Sequence, residues 1–194
     1  LELGLWAANI YANRLGQPVD AARVLRQVRR AAQGNSAGDL ADKELEKMSG
    51  TLRQIAKEHY KASLGVSCEK ALASLKQAED ADPSFGDIYE TRAYCAAQGD
   101  FENFQSAIKD LAKNNLAKPE VLIKLPQMSK WMMNTGFTEF LTDLMGKAQV
   151  DRLNGMIAER WESYNKHLAQ YKDDVAKYDM RVAQRTEILN QRNI

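Results

Sequence analysis

Hydrophobic residues recur every three or four positions along most of the chain, which is the pattern of amphipathic helices. Runs of alternating β-branched residues, which would predict strands, are missing from the sequence. Ala, Leu, Lys, Glu, Gln and Arg, which favour helices, dominate the composition, while Gly and Pro are sparse. The sequence therefore predicts an all-α protein.

Gly, Pro and short polar stretches divide this pattern into a series of helices. The predicted helices cover residues 2–15, 18–33, 39–48, 51–64, 68–81, 87–98, 101–114, 126–134, 137–148 and 151–191, with a turn or two at 119–125. Ser49 and Gly50 either interrupt the helix around them or merely weaken it. Asp39 is expected to cap the helix that follows the loop 34–39, because Asp is a favoured N-cap residue.

A repeating helical hairpin is indicated around residues 68–83. Ala71, Leu75, Ala78 and Pro83 are spaced by 4, 3 and 5 positions. Small residues allow a neighbouring helix to approach closely, a bulky residue fills the remaining gap, and Pro ends the helix.

A second hairpin follows the first. Gly99 suits the positive φ that often ends a helix, and Asp100 is placed to cap the next one. That next helix carries Phe104, Ile108 and Leu111, again spaced by 4 and 3.

Glycine-marked turns are predicted at Gly16, Gly65, Gly99 and Gly136. The interval from Gly65 to Gly99 is 34 residues, which is the period of the tetratricopeptide repeat. Over residues 2–148 the chain resembles a degenerate tetratricopeptide-like protein, with an irregular all-α bundle as the alternative.

The resemblance implies a right-handed array of stacked helical hairpins over residues 1–148. Such arrays present a concave face, lined by their first helices, to a protein partner. The residues that this face would use here are Tyr89, Arg92, Ala96 and Trp131.

The last segment, 149–194, is predicted to be one long helix with a coiled-coil-like seam. Its bulky residues are spaced alternately by 4 and 3, and Arg185 and Leu189 continue the count. The seam consists of Ile157, Trp161, Tyr164, Leu168, Tyr171, Val175, Tyr178 and Val182. Because a parallel two-stranded coil prefers aliphatic residues at these sites, we expect packing against the array, an antiparallel copy or another protein's helix.

Composition and charge narrow the classes of function. Hydrophobic residues make up 44% of the chain, enough for a sizeable core, and the net charge of +1 gives no global attraction to nucleic acid or acidic membranes. One local basic cluster, residues 23–30, places Arg23, Arg26 and Arg30 on one helix face. A solvated helix face is the expected role of this cluster, and a phosphate contact is the alternative.

Residues that carry reaction chemistry are scarce. His59 and His167 do not have metal-ligand spacing, and no Gly-rich phosphate loop or nucleophile elbow occurs in the sequence. Cys68 and Cys95 are too far apart in sequence for a zinc or thioredoxin motif, and two buried free thiols are expected in preference to a disulfide. We therefore expect no enzyme activity, no metal and no cofactor.

The sequence predicts a non-catalytic adaptor or scaffold that binds a helix or peptide of another protein within a larger assembly. One alternative is a structural homo-oligomer assembled through the C-terminal helix, and another is a nucleic-acid-binding helical protein. No stretch of about 18 apolar residues predicts a membrane span. Since the chain begins at Leu1, we expect a fragment or mature form, with the cytoplasm favoured and the periplasm or an organelle left open.

Overall fold

The computed structural model describes residues 1–32 and 34–192, with side chains up to residue 188. This part of the chain is helical and contains no strand, so the all-α prediction is confirmed. Gln33, at the end of the predicted helix 18–33, lies outside the described residues. So do positions 193–194 of the predicted C-terminal segment and the side chain of Leu189.

Ten helices follow one another in the described residues, close to the predicted bounds. They are α1 (Glu2–Asn13), α2 (Pro18–Ala31), α3 (Ser36–Ser63), α4 (Cys68–Ala81), α5 (Asp87–Ala96), α6 (Phe101–Lys113), α7 (Pro119–Leu122), α8 (Met128–Met132), α9 (Thr135–Met145) and α10 (Lys147–Arg192). The Ser49–Gly50 pair does not interrupt α3, and the Ser49 hydroxyl donates a hydrogen bond to the Glu46 carbonyl at 2.7 Å.

The start of α3 corrects one prediction. Asn35, and not Asp39, is the N-cap, and its side-chain oxygen accepts hydrogen bonds from the amides of Ala37 and Gly38. The helix therefore begins three residues before Asp39. Gly38 fits there because a Cβ would lie 2.6 Å from the Ala32 carbonyl oxygen.

The turns agree with the prediction only in part. Gly16 and Gly65 have φ values of 63° and 73°, which glycine adopts without strain. Gly99 does not need a positive φ, which corrects the prediction, and its amide donates to the Ala96 carbonyl at 2.9 Å. Gly136 lies within the first turn of α9.

Asp100 caps α6 as predicted, accepting a hydrogen bond from the Asn103 amide at 2.8 Å.

The described chain divides into two compact units. The first contains residues 1–117 and 125–127, and the second contains residues 118–124 and 128–192. This division lies near residue 118, whereas the predicted one, between 148 and 149, lies in the first turn of α10, just after Gly146.

In the first unit, helices that are consecutive in sequence pack against each other from α1 to α6. Two clusters contribute to its core: Ala8, Leu25, Val28, Ala32 and Ala41 in one, and Ala56, Leu75, Ala78, Ala81, Phe85 and Ile88 in the other. The regularly spaced positions Ala71, Phe104, Ile108 and Leu111 are also buried. The apolar face that the sequence predicts for each of these helices is thus the buried face.

In the second unit, α8 packs on α9, and both α7 and α9 contact the first turns of α10. Leu122, Phe137, Leu141 and Leu153 are fully buried. Among the described residues, no helix combines the length and apolar character that a membrane span requires.

Candidate partner-binding surface

The first turns of α10 are anchored within the second unit. Val150 and Leu153 are buried, and Arg152 forms an ion pair with Glu120 of α7. Farther along α10, the Arg160 guanidinium donates a hydrogen bond to the Ile123 carbonyl at 2.6 Å. These contacts hold the helix up to residue 160.

The predicted seam of α10 is exposed from residue 161 onward. We call the eight seam residues predicted above the α10 seam. Seven of them are exposed, including Trp161 at 53%, Tyr171 at 66% and Tyr178 at 67%, while Ile157 is half-buried. The residues that the structure describes therefore leave this apolar line uncovered.

Contacts along residues 161–188 are local ones within the helix. The Trp161 and Tyr164 rings meet edge to face with centroids 5.9 Å apart, and Lys177 pairs with Asp173 at 2.5 Å. His167 Nδ1 lies 2.7 Å from the Ser163 carbonyl oxygen, one turn earlier. Helices in proteins owe most of their stability to packing of their apolar face, so covering the α10 seam would stabilise this segment.

The exposed seam is large enough to matter energetically. A buried aromatic side chain removes about 150–250 Å² from water. At about 25 cal/mol for each Å² of apolar surface, covering Trp161 and the three seam tyrosines alone would contribute several kcal/mol. Contiguous apolar surface of this kind is typical of a site for a protein partner.

The predicted array face is only partly assembled. Tyr89 is 5% exposed, and its hydroxyl donates to the Pro83 carbonyl at 2.7 Å, so it offers little surface to a partner. Arg92 is paired with Glu79 at 2.9 Å, and its guanidinium lies 5.7 Å from the centre of the Tyr89 ring. Burial would raise the pKa of Glu79, but its hydrogen bonds and ion pairs with Arg92 and Lys76 together outweigh burial and lower the pKa.

Arg92 and Ala96 do lie together, in a groove of about 350 Å³ formed by α4, α5 and α6. Leu72, Asn103 and Asp110 contribute to the same groove. Trp131, the fourth predicted residue, belongs to the second unit, where it is half-buried with its ring centre 6.0 Å from that of Phe137.

A disulfide closes one side of this groove and corrects the prediction of free thiols. Cys68, at the start of α4, is bonded to Cys95, near the end of α5, with Cα atoms 5.4 Å apart. Consecutive antiparallel helices bring the start of one beside the end of the next. That hairpin geometry is the signal in the sequence that could have predicted the bond.

The basic cluster on α2 is engaged within the first unit. Arg26 donates hydrogen bonds of 2.6 Å to the carbonyls of Asp80 and Ala81, at the C-terminal end of α4. Arg23 pairs with Asp20, and Arg29 pairs with Asp42. These contacts assign the cluster structural roles and reduce the positive charge that it offers to a phosphate.

Sequence reasoning missed a polar network at the joint between α4 and α5. Asp82 accepts hydrogen bonds from Arg53 at 2.8 Å and from the Ser84 amide and hydroxyl at 2.9 and 2.6 Å. Arg53 also lies over the Phe85 ring, 4.6 Å from its centre. Burial would raise the pKa of Asp82, but the hydrogen bonds from Ser84 and Arg53 outweigh burial and lower it.

The described residues contain no group of three or more His, Cys, Asp or Glu side chains that could hold a metal ion. Comparison with protein-family models, curated proteins and solved structures found no match to the chain.

Proposed function

We propose that this chain is a non-catalytic adaptor or scaffold that takes part in a larger protein assembly through the α10 seam. The observation that carries the proposal is the seam itself. Large apolar and aromatic side chains recur at heptad spacing and stay exposed from Trp161 to Val182.

The partner that best fits this surface is another helix. Heptad spacing keeps the seam along one side of α10, and facing side chains can then interlock as knobs into holes. Residues 161–188 extend for about 42 Å at 1.5 Å per residue, which gives a helical partner several turns of contact.

The first unit serves, in this proposal, as a tetratricopeptide-like stack of helical hairpins. Its support is the burial of Ala71, Leu75 and Ala78 at the spacing of that repeat, and the Asp100 cap in the turn that follows. A right-handed array of this kind would offer the groove beside Arg92 and Ala96 as a second, smaller contact surface.

A structural homo-oligomer is the second candidate function. The observation that favours it is the content of the seam, in which tyrosine and aliphatic residues alternate from Tyr164 to Val182. Such a pattern can pair with itself.

Crosslinking in the cells that produce the protein tests the proposal. Lys166, Lys172 and Lys177 lie along the exposed helix and can report on whatever chain packs beside it. We expect crosslinks from these lysines to a second polypeptide, and their loss in a variant that carries Tyr171→Glu and Tyr178→Glu. Crosslinks that stay within the chain, or that are unchanged in the variant, would contradict the proposal.

A further inference from the structure

We infer that the α10 seam binds the α10 seam of a second copy of this chain, with the two helices antiparallel and Val175 of each opposite Tyr178 of the other. This inference rests on the proposed function, because it names the partner of the same surface. Layer packing and charge pairing support it independently.

The heptad positions of the seam alternate strictly in kind. Leu168, Val175 and Val182 occupy successive a positions, and Tyr164, Tyr171 and Tyr178 occupy successive d positions. The a positions therefore carry aliphatic side chains and the d positions carry tyrosines over this whole length.

This alternation favours an antiparallel pair. In a parallel coil, a packs against a and d against d, so layers of two tyrosines would alternate with layers of two aliphatic residues. In an antiparallel coil, a packs against d. In the register stated above, each of the four central layers then receives one tyrosine and one valine, from Tyr171 or Tyr178 and Val175 or Val182, while Leu168 lies opposite Arg185. Layers of equal volume keep the helix axes at one separation, which close packing requires.

The flanking charges oppose a parallel pair. There, each g position faces the e position of the next heptad on the other helix. Asp174 would meet the second copy's Asp179, and His167 would meet its Lys172. All four side chains are exposed on α10, so the first contact places two like charges together, twice in each dimer.

The same charges fit the antiparallel register stated above. There, g faces g and e faces e, so that Asp174 meets the second copy's Arg181 and Lys172 meets its Asp179. Two-fold symmetry repeats both contacts and gives four attractive pairs. A shift of one heptad in one direction places Asp174 opposite Asp174, and a shift in the other places Arg181 opposite Arg181. Both shifts bring like charges together, so the charges favour the stated register.

The register also fits the exposed length of the helix. Residues 161–188 of one copy face residues 165–192 of the other. The paired segment therefore begins immediately after Arg160, whose guanidinium is hydrogen-bonded to the Ile123 carbonyl of its own chain. At about 150–250 Å² for each aromatic side chain, the six seam tyrosines supply a large part of the roughly 1,200 Å² that a specific interface buries.

Charge reversal in the full chain tests both the partner and the orientation. Asp174→Arg is expected to raise the dimer dissociation constant about tenfold, because it turns two attractive pairs into repulsive ones. Adding Arg181→Asp restores opposite charges and is expected to bring the constant back to within about threefold of the original. Sedimentation equilibrium at low salt measures the dissociation constants of the original chain, the single variant and the double variant.

Asp173→Arg is the matched control for this substitution. Asp173 lies next to Asp174 at the f position, so the same change in charge faces away from the seam and is expected to leave the dissociation constant unchanged. In a parallel dimer, Asp174→Arg would instead place Arg opposite the second copy's Asp179. Tighter binding of that variant would overturn the inference.

Spin labels at f positions test the register, because these positions lie outside the seam. Labels at Lys166→Cys are expected to lie about 32 Å apart along the axis, and labels at Met180→Cys about 10 Å apart, at 1.5 Å per residue. Equal separations at the two positions would mean parallel helices and would overturn the inference.

The two proposals fail in different ways. A chain that is monomeric at all concentrations, yet crosslinks in cells to a different polypeptide through α10, overturns the antiparallel dimer and leaves the proposed function standing. A monomeric chain whose α10 crosslinks to no other polypeptide overturns both.

Discussion

Single side chains at the joint between α4 and α5 hold several helices together. Arg26 of α2 binds the carbonyls that end α4, Arg53 of α3 binds Asp82, and Tyr89 of α5 binds the Pro83 carbonyl. Carbonyls at the end of a helix lack partners within that helix, so a cation placed there satisfies hydrogen bonds and also complements the helix dipole.

Replacing Arg26 is expected to destabilise the first unit. Arg26→Met keeps much of the side-chain packing but removes two charged hydrogen bonds to part-buried carbonyls, so the free energy of unfolding should fall by about 2–3 kcal/mol. Urea denaturation measures the change. Arg30→Met is the matched control, because Arg30 lies exposed on the same helix and its loss should cost no more than about 0.5 kcal/mol.

Acid should weaken the same joint. The folded pKa values of Asp82 and Glu79 are lowered, so both groups bind protons more weakly in the folded state than in the unfolded chain. Their stabilisation is present above the unfolded carboxyl pKa of about 4 and is lost as pH falls through the lower folded values. Unfolding measured from pH 7 to pH 2 should show this decline, and Asp82→Asn should flatten it. An identical pH profile in the variant would contradict this role for Asp82.

At the scale of the element, helix positions could be predicted from spacing and chain breakers, because each amphipathic stretch buries its own apolar face. The joint network could not be predicted, since it depends on residues such as Arg26 and Asp80 that lie far apart in sequence. The start of α3 was misplaced because Asn35 and Asp39 are both good caps, and hydrophobic spacing does not decide between them.

The Cys68–Cys95 bond should stabilise the hairpin of α4 and α5. It spans a sequence separation of 27, for which the loss of chain entropy in the unfolded state predicts about 3.5 kcal/mol. Thermal unfolding with and without a reductant measures this effect. A variant with Cys68→Ser and Cys95→Ser is the control and should melt at the lower temperature in both conditions.

The disulfide prediction would be contradicted if a reductant left the melting temperature of the original chain unchanged. Since structural disulfides persist in oxidising compartments, we expect the bond to last there and to be reduced in a cytoplasm.

At the scale of the whole molecule, the sequence predicted the fold class and the seam, but not what the seam contacts. Spacing of 4 and 3 arises equally when a helix packs on its own chain and when it packs on another chain. The structure separates the two cases along one helix, because Val150 and Leu153 are buried whereas Tyr171 and Tyr178 are exposed. The division near residue 118 was also beyond prediction, because it depends on which helices contact each other.

The solution mass of the full chain, followed over a hundredfold range of concentration, tests most directly whether α10 is an association surface. We predict a rise from the single-chain mass of 21.8 kDa to twice that value, and a variant with Tyr171→Glu and Tyr178→Glu that stays at 21.8 kDa throughout. A full chain that stays at the single-chain mass over the whole range, or a variant that associates as strongly as the original, would contradict self-association through the α10 seam.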